Sequence, residues 1–462
     1  MEYPPNNSPL GDGGCPLCDA TYTLSNKERI QLSASLNILD VVAAAINQLF
    51  DDGKIDEATK KELFQSHYAP LKKAVNEGFQ NPPSGGRGAG IEYGTPNYEF
   101  LKQLQTNTAV FAMFKSHASI QDMVGLLKDE SGNLRTKADF IKQAKQLDST
   151  YRTQYLDVEY DTAVRTARLA SQWAKFEKNK RLYPNLRYLL SKAAKPDQKH
   201  LAFVGIIRPV NDSFWDTHYP PNRWRCQCGV EQTDADATDI PDNLPPVAEA
   251  FRFNAGKQGQ IFDLKNSEYI KKVPPKEQPA LIRQAEKIVN TQAAKDATYQ
   301  PMYQSKSGGN VSAHPLAFDN TDFKEVLSGA RAVANAGSDV KLLPDIGNPD
   351  LRKTLTPAGA KGAKNPDYLI NDKVVADLKT LQESTKKAVH GAISRCFKQC
   401  NNLVLRVPES NTITAADLNR YVKGKLSHAG FAMMDKIWID WHGKLYETSR
   451  HQIVQLGEWN LK

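Results

Sequence analysis

Apolar positions fall into two regimes along the chain. In the first half they recur at helical spacing. Ile38, Val41, Val42, Ala45, Ile46 and Leu49 make one apolar face, and Phe64, Tyr68 and Leu71 make a second after a break at Asp51-Asp52-Gly53. Residues 96 to 182 read as long polar helices, most regular from Thr162 to Trp173. The run Asp51 to Thr59 places Gly53, Ile55 and Asp56 where a calcium loop needs oxygen ligands and a glycine, so a helix-turn-helix connection is expected there. After Pro315 the apolar runs shorten. A helix (residues 320–336), a strand (340–343) and two strands around a turn (365–380) are predicted, then a helix (384–400), a strand (403–407), a helix (415–426) and a strand (436–441).

Between these regimes the punctuation changes. Asn81 to Ile91 is a Pro/Gly loop, and residues 183 to 232 are rich in Pro, Trp, Tyr and Asn with only short strands. Asp234 to Pro246 is acidic and proline-containing, which predicts a linker or arm. A helix (280–290) running into Ser305-Lys-Ser-Gly-Gly-Asn predicts a domain boundary. The expected organisation is multidomain: a flexible N-terminus (1–30), a mostly α body (31–275) that includes a small α+β module rich in Trp and Cys, a linker (276–317), and an α/β domain on a small mixed sheet (318–462).

Composition narrows this picture only a little. At 462 residues the chain exceeds one ordinary core. Its net charge of +8 permits a nucleic-acid partner without requiring one. No apolar run approaches the roughly eighteen residues that span a bilayer. The opening Met1 to Gly14 has neither the basic end nor the apolar core of a signal peptide, so synthesis in the bacterial cytoplasm is expected. The six cysteines fall in close pairs: Cys15/Cys18, Cys226/Cys228 and Cys396/Cys400. The last pair, one helical turn apart, is expected in the core. The first two pairs, with His218, are candidate ligands of a structural Zn²⁺.

The chemistry concentrates in Asn365 to Thr380. Asp367, Asp377 and Lys379 are the residue types that hydrolyse a phosphodiester: carboxylates for Mg²⁺ or another divalent cation, and a lysine for the attacking water or the charge of the transition state. Register decides whether they meet. A two-residue turn at Asn371-Asp372 would pair Asp367 with Ala376 and send Asp377 to the opposite face. A three-residue turn, Asn371-Asp372-Lys373, pairs Asp367 with Asp377 and puts Lys379 on the same face. The second register is the one expected. Glu325 is a further candidate metal ligand, and Gln399 a candidate substrate contact. Lys361 to Lys364, Lys386, Lys387, Arg395, Lys423 and Lys425 are candidate phosphate contacts.

Two resemblances follow from these motifs. Phe214 to Cys228, with its PPN-x-W-x-C-x-C run, resembles the phage Mu F-like head morphogenesis (minor head) family. Tyr183 to Tyr188, His200, Ile206 to Pro209 and Phe251 to Lys257 fit the same module. This likeness covers about residues 150–265 and implies a protein of a virion or prophage-derived particle, partnered by portal or head proteins. Asn365 to Ile370, Ala376 to Thr380, Ser384-Thr385 and Lys398-Gln399 resemble the PD-(D/E)xK superfamily, and more narrowly the C-terminal tRNA nuclease domain of CdiA-type toxins. That likeness, over about residues 318–445, implies a metal-dependent endonuclease acting on tRNA or other RNA in the cytoplasm of a recipient cell, and a cognate immunity protein in the producer. A DNase of the same fold and a purely structural head protein with an inactive C-terminal domain are the alternatives.

Overall fold

The computed structural model describes residues 38–80, 96–193, 196–362, 364–457, 459 and 461. The chain divides into two compact units at Val289/Asn290. Among the described residues no helix is long and apolar enough to cross a membrane.

The first unit is built on helices α1 (Ile38–Asp52), α2 (Glu57–Gln80), α3 (Pro96–Gly125), α4 (Lys137–Ser149) and α5 (Leu156–Asn179). Asp51-Asp52-Gly53 does end α1, with Gly53 in the left-handed region. Thr136 caps α4 by accepting from Asp139 N. Gly78 lets α2 lie directly on α5: a Cβ there would come 2.2 Å from Val164 O. The core between α2, α3 and α5 is largely apolar but buries an ion pair, in which fully buried Lys115 Nζ lies 2.5 Å from Glu159 Oε2. Tyr269 donates to the other oxygen of Glu159 at 2.8 Å. Burial pulls the Lys115 ammonium below its usual value against the raising effect of Glu159.

Strands β1 (Asn185–Leu189), β2 (Ile207–Pro209) and β3 (Gly229–Thr233) form an antiparallel sheet of order β2-β1-β3. Its core joins Leu169, Trp173 and Phe176 of α5 to Tyr188, Trp215 and Tyr219. The polar tips of the large rings are satisfied: Tyr219 donates to Leu169 O and Trp215 to Arg208 O. The segment 234–246 is not a free linker. It begins as an ordered arm along β2, where Thr238 N donates to Ile207 O and Thr238 Oγ1 accepts from Ile207 N. Helix α6 (Gln278–Asp296) carries the chain across the division between the units.

The second unit holds an eight-stranded mixed sheet, larger than expected, of order β11-β10-β9-β8-β7-β6-β5-β4. The strands are β4 (Gln300–Gln304), β5 (Asn310–Ala313), β6 (Val340–Leu342), β7 (Tyr368–Ile370), β8 (Val374–Thr380), β9 (Leu403–Val407), β10 (Lys436–Trp441) and β11 (Lys444–Ser449). The expected linker 276–317 therefore contains two strands of the sheet, and Ser305 to Asn310 is the turn between them. Helix α7 (Phe323–Asn335) covers one face, over Val311, Ile370, Ala376, Leu378 and Val404. Helices α8 (Lys386–Phe397) and α9 (Ala415–Leu426) cover the other, over Val375, Leu403, Leu405, Ile437 and Ile439. Strands β8, β9 and β10 run parallel, and α8 and α9 are the crossovers that such pairs require. Thr385 and Thr414 cap these helices by accepting from Ala388 N and Asp417 N.

Lys115→Ala should destabilise the first unit by about 3–5 kcal/mol, because it leaves Glu159 buried without its counter-charge. Lys115→Met with Glu159→Leu should recover most of that loss. Denaturant unfolding of the variants checks it, and a double variant no more stable than the single would contradict it.

Candidate active site

The turn between β7 and β8 determines the site. Ile370 pairs with Val374, Leu369 with Val375 and Tyr368 with Ala376, so the loop is the three residues Asn371-Asp372-Lys373. Asn371 and Asp372 take the left-handed backbone at φ 50° and 54°, a region that Asn and Asp tolerate better than most residues. Continuing this register one residue outward sets Asp367 opposite Asp377. Alternation along β8 then puts Lys379 on the same face as Asp377. A two-residue turn would have broken the set.

Asp377 is buried, with Lys379 Nζ 2.5 Å from its Oδ2. That contact is an ion pair; the directed hydrogen bond of Lys379 goes to Leu378 O at 2.7 Å. Asp367 is partly buried and accepts from Leu378 N at 2.7 Å. Desolvation, and then the charge of Asp377, hold the Asp367 carboxyl well above the usual carboxylate range. Desolvation pushes Asp377 up to about 6 against the lowering effect of Lys379. Burial alone would lower the Lys379 ammonium, but Asp377 and Asp367 together hold it above its ordinary value.

Asp367 and Lys379 border a cleft of about 470 Å³ at the end of the sheet, between the start of α7 and the end of α8; Asp377, ion-paired to Lys379, is buried beside it. Asp322, Glu325, Lys364, Asp367, Lys379, Thr380, Arg395, Lys398 and Gln399 line it. Glu325 and Gln399 thus reach the same cleft as the aspartates, although α7 and α8 lie on opposite faces of the sheet. Thr380 Oγ1 and Gln399 Oε1 are buried there without a hydrogen-bond partner, so the site holds polar atoms with capacity for a ligand. Two carboxylates facing one another suit a hard divalent cation.

Of the candidate phosphate contacts, Lys364 and Arg395 line the cleft, as does Lys398. Lys361 does not: its Nζ donates to Phe397 O at 2.7 Å and lies 3.0 Å from the Phe397 ring centre, at the end of α8. Lys386 and Lys387 begin α8, a helix length away from Arg395. Cys396 and Cys400 are buried in the core, both 3.2 Å from Asn402 O. Sequence reading missed Asp322 and Thr380. Asp322 stands three residues before Glu325, a spacing that brings side chains together on a helix and would have flagged it. Thr380 closes the motif Ala376 to Thr380 that carries the nuclease resemblance, but by strict alternation it belongs to the other face, so the register gave it no role.

In the first unit, buried Cys226 and Cys228 lie beside buried His200, not His218. His218 stacks on Phe214 and contacts Thr217 Oγ1 through Nδ1. Cys15 and Cys18 lie outside the described residues.

If the aspartate pair titrates as its surroundings dictate, the fold favours its protonated form. The corresponding stability is complete below the unfolded carboxylate value of about 4 and is lost as pH rises through about 6. Asp377→Asn removes this titration. In EDTA its melting temperature should exceed that of the wild type at about pH 8, with the gap closing toward about pH 4. A gap independent of pH would contradict the assignment.

Comparison with known proteins divides the chain in the same way. Residues 132–231 match the family described as Phage Mu protein F like protein. Residues 364–444, which include Asp367, Asp377, Lys379 and Gln399, match the contact-dependent growth inhibition CdiA C-terminal domain. Protein F of Escherichia phage Mu, which carries a capsid-assembly name, is 33% identical over 76 residues, 16% of this chain and 17% of its own length. The Mu-like prophage FluMu F protein of Haemophilus influenzae is 29% identical over 141 residues, 30% of this chain and 28% of its own. The chain therefore spans less than a third of either relative. No solved structure gives a significant match. The chain thus carries one segment similar to the Phage Mu protein F like family and, after it, one similar to the contact-dependent growth inhibition CdiA C-terminal domain.

Proposed function

We propose that the second unit is a metal-dependent endonuclease toxin that cleaves RNA, tRNA foremost, and that the Mu F-like segment makes it cargo of a phage head or phage-like particle. The observation that carries this reading is the three-residue turn, which sets Asp367 against Asp377 with Lys379 beside them in a cleft bordered by Lys364, Arg395 and Lys398. A lysine ion-paired to a carboxylate on an interior strand supports a PD-(D/E)xK-like arrangement, and the resemblance of Asn365 to Ile370 and Ala376 to Thr380 to a tRNA nuclease domain favours RNA over DNA.

Asp367 and Asp377 would hold Mg²⁺ or another divalent cation, with Glu325 as a further ligand. Such an ion supplies Lewis acidity at the phosphate and a more acidic water. The chain supplies the rest. Lys379, fully charged beside two carboxylates, orients the attacking water or steadies charge on the phosphoryl oxygens. Gln399 Oε1 and Thr380 Oγ1 bind substrate or water at the rim. Lys364, Arg395 and Lys398 hold the flanking phosphates. A producer making this enzyme in its own cytoplasm needs a cognate immunity protein, and the enzyme acts in the cytoplasm of a recipient cell.

The purified chain should fragment total RNA in Mg²⁺ and leave it intact in EDTA. Asp377→Ala or Asp367→Ala should lower the rate at least about a hundredfold, and Lys379→Ala by about 10² to 10³. Cleavage of plasmid DNA with RNA spared would make it a DNase. If neither is cut, and if expression of the wild type is as harmless as that of Asp377→Ala, the C-terminal unit is a structural part of the head protein.

A further inference from the structure

The cysteine pair of the first unit belongs to a site of its own. His200 sits in a helical turn (Gln198–Leu201) capped by Asp197, whose Oδ1 accepts from Lys199 N. Cys226 and Cys228 end the loop that starts at cis Pro220-Pro221 and leads into β3. The two segments are tied together by other contacts: Arg223 of the loop pairs with Asp197 of the turn. Just before the cysteines, Arg225 takes a left-handed backbone at φ 57°, which few non-glycine residues adopt. Its N donates to Thr162 Oγ1 at 3.1 Å, and its guanidinium pairs with Asp157 and Asp161 of α5. This anchored turn lets the next two alternate residues, Cys226 and Cys228, face the same way.

They face His200. Each Sγ lies 3.6 Å from His200 Nδ1, and all three side chains are buried. That spacing suits a tetrahedral metal ion. A tetrahedral ion with Zn–S of about 2.3 Å and Zn–N of about 2.0–2.1 Å sets its nitrogen and sulfur ligands about 3.6 Å apart. A neutral thiol–imidazole hydrogen bond would bring one sulfur closer than the other; here the two are equal. Sulfur and imidazole donors together select a soft or borderline metal over Mg²⁺ or Ca²⁺. Phe203, stacked on the imidazole, and Tyr188 enclose the site in the apolar core of the module.

We propose that His200, Cys226 and Cys228 bind a structural Zn²⁺, with a water as fourth ligand. A cavity of about 120 Å³, lined in part by both cysteines, holds room for that water. The ion staples the turn after β1 to the entry of β3, closing the Trp/Cys module from both ends of its fold. The set differs from a site completed by Cys15 and Cys18. It is also independent of the nuclease site, which lies in the other unit.

The test uses the full-length chain carrying Asp367→Ala and Asp377→Ala, so that the second unit contributes no cation. Purified under reducing conditions, it should contain zinc equimolar with protein by elemental analysis. Replacement by Co²⁺ should give thiolate-to-metal charge transfer and the intense visible bands of a tetrahedral site. His200→Ala and Cys228→Ser should each lose the metal, and Cys15→Ser with Cys18→Ser should retain it. A parent chain without transition metal, and without cobalt thiolate bands on loading, overturns the proposal even if the variants do not fold. Loss of the metal on replacing Cys15 and Cys18, with retention in His200→Ala, overturns the ligand set.

Discussion

The length of one β-turn governs the second unit. With three residues between Ile370 and Val374, two aspartates oppose each other at the end of the sheet; with two, one of them would point into the α7 core. Like charges facing across strands destabilise a sheet, and burial adds to the cost by disfavouring the charged form of both carboxyls. Asn371 and Asp372 in left-handed backbone, and the Asn371 N to Asp339 O and Asp339 N to Asn371 Oδ1 bonds, hold the turn against that repulsion. Lys379 offsets part of it from two residues along the strand.

How much of this could be read beforehand follows from where each strand lies. β9 (Leu403–Val407) and β10 (Lys436–Trp441), interior and almost wholly buried, match the predicted ranges because a strand covered on both faces needs a continuous apolar run. β4 and β11 are the two edges of the sheet. Gln300–Gln304 and Lys444–Ser449 are half exposed, and the first contains a proline, which an edge tolerates. Nothing in such segments demands burial, so they read as linker and tail. The Asp367/Asp377/Lys379 set was legible because alternation and turn length suffice to place it. Thr380 and the reach of Glu325 and Gln399 around the end of the sheet were not, because they depend on how helices on opposite faces end at the same rim.

The first unit shows the same division between local and tertiary information. The helices follow their apolar spacing. The buried Lys115–Glu159 pair and the approach of α2 to α5 at Gly78 depend on residues far apart in sequence. The meeting of His200 with the cysteines belongs to this second class. The histidine is separated from the C-x-C by the whole of β2 and the proline loop, and His218, much nearer in sequence, is turned onto Phe214 instead.

The position of the Ser305 to Asn310 turn bears on where the chain could be cut and still leave the second unit whole. It is the most glycine- and serine-rich stretch between the two family matches and invites a protease by composition. Yet it joins β4 to β5 inside the sheet. A cut there would leave β4 with the first unit and a second unit whose β5 has lost its edge neighbour, with open backbone groups on a row that pairs readily with other chains. Any maturation that frees an intact domain must therefore cleave upstream of Gln300.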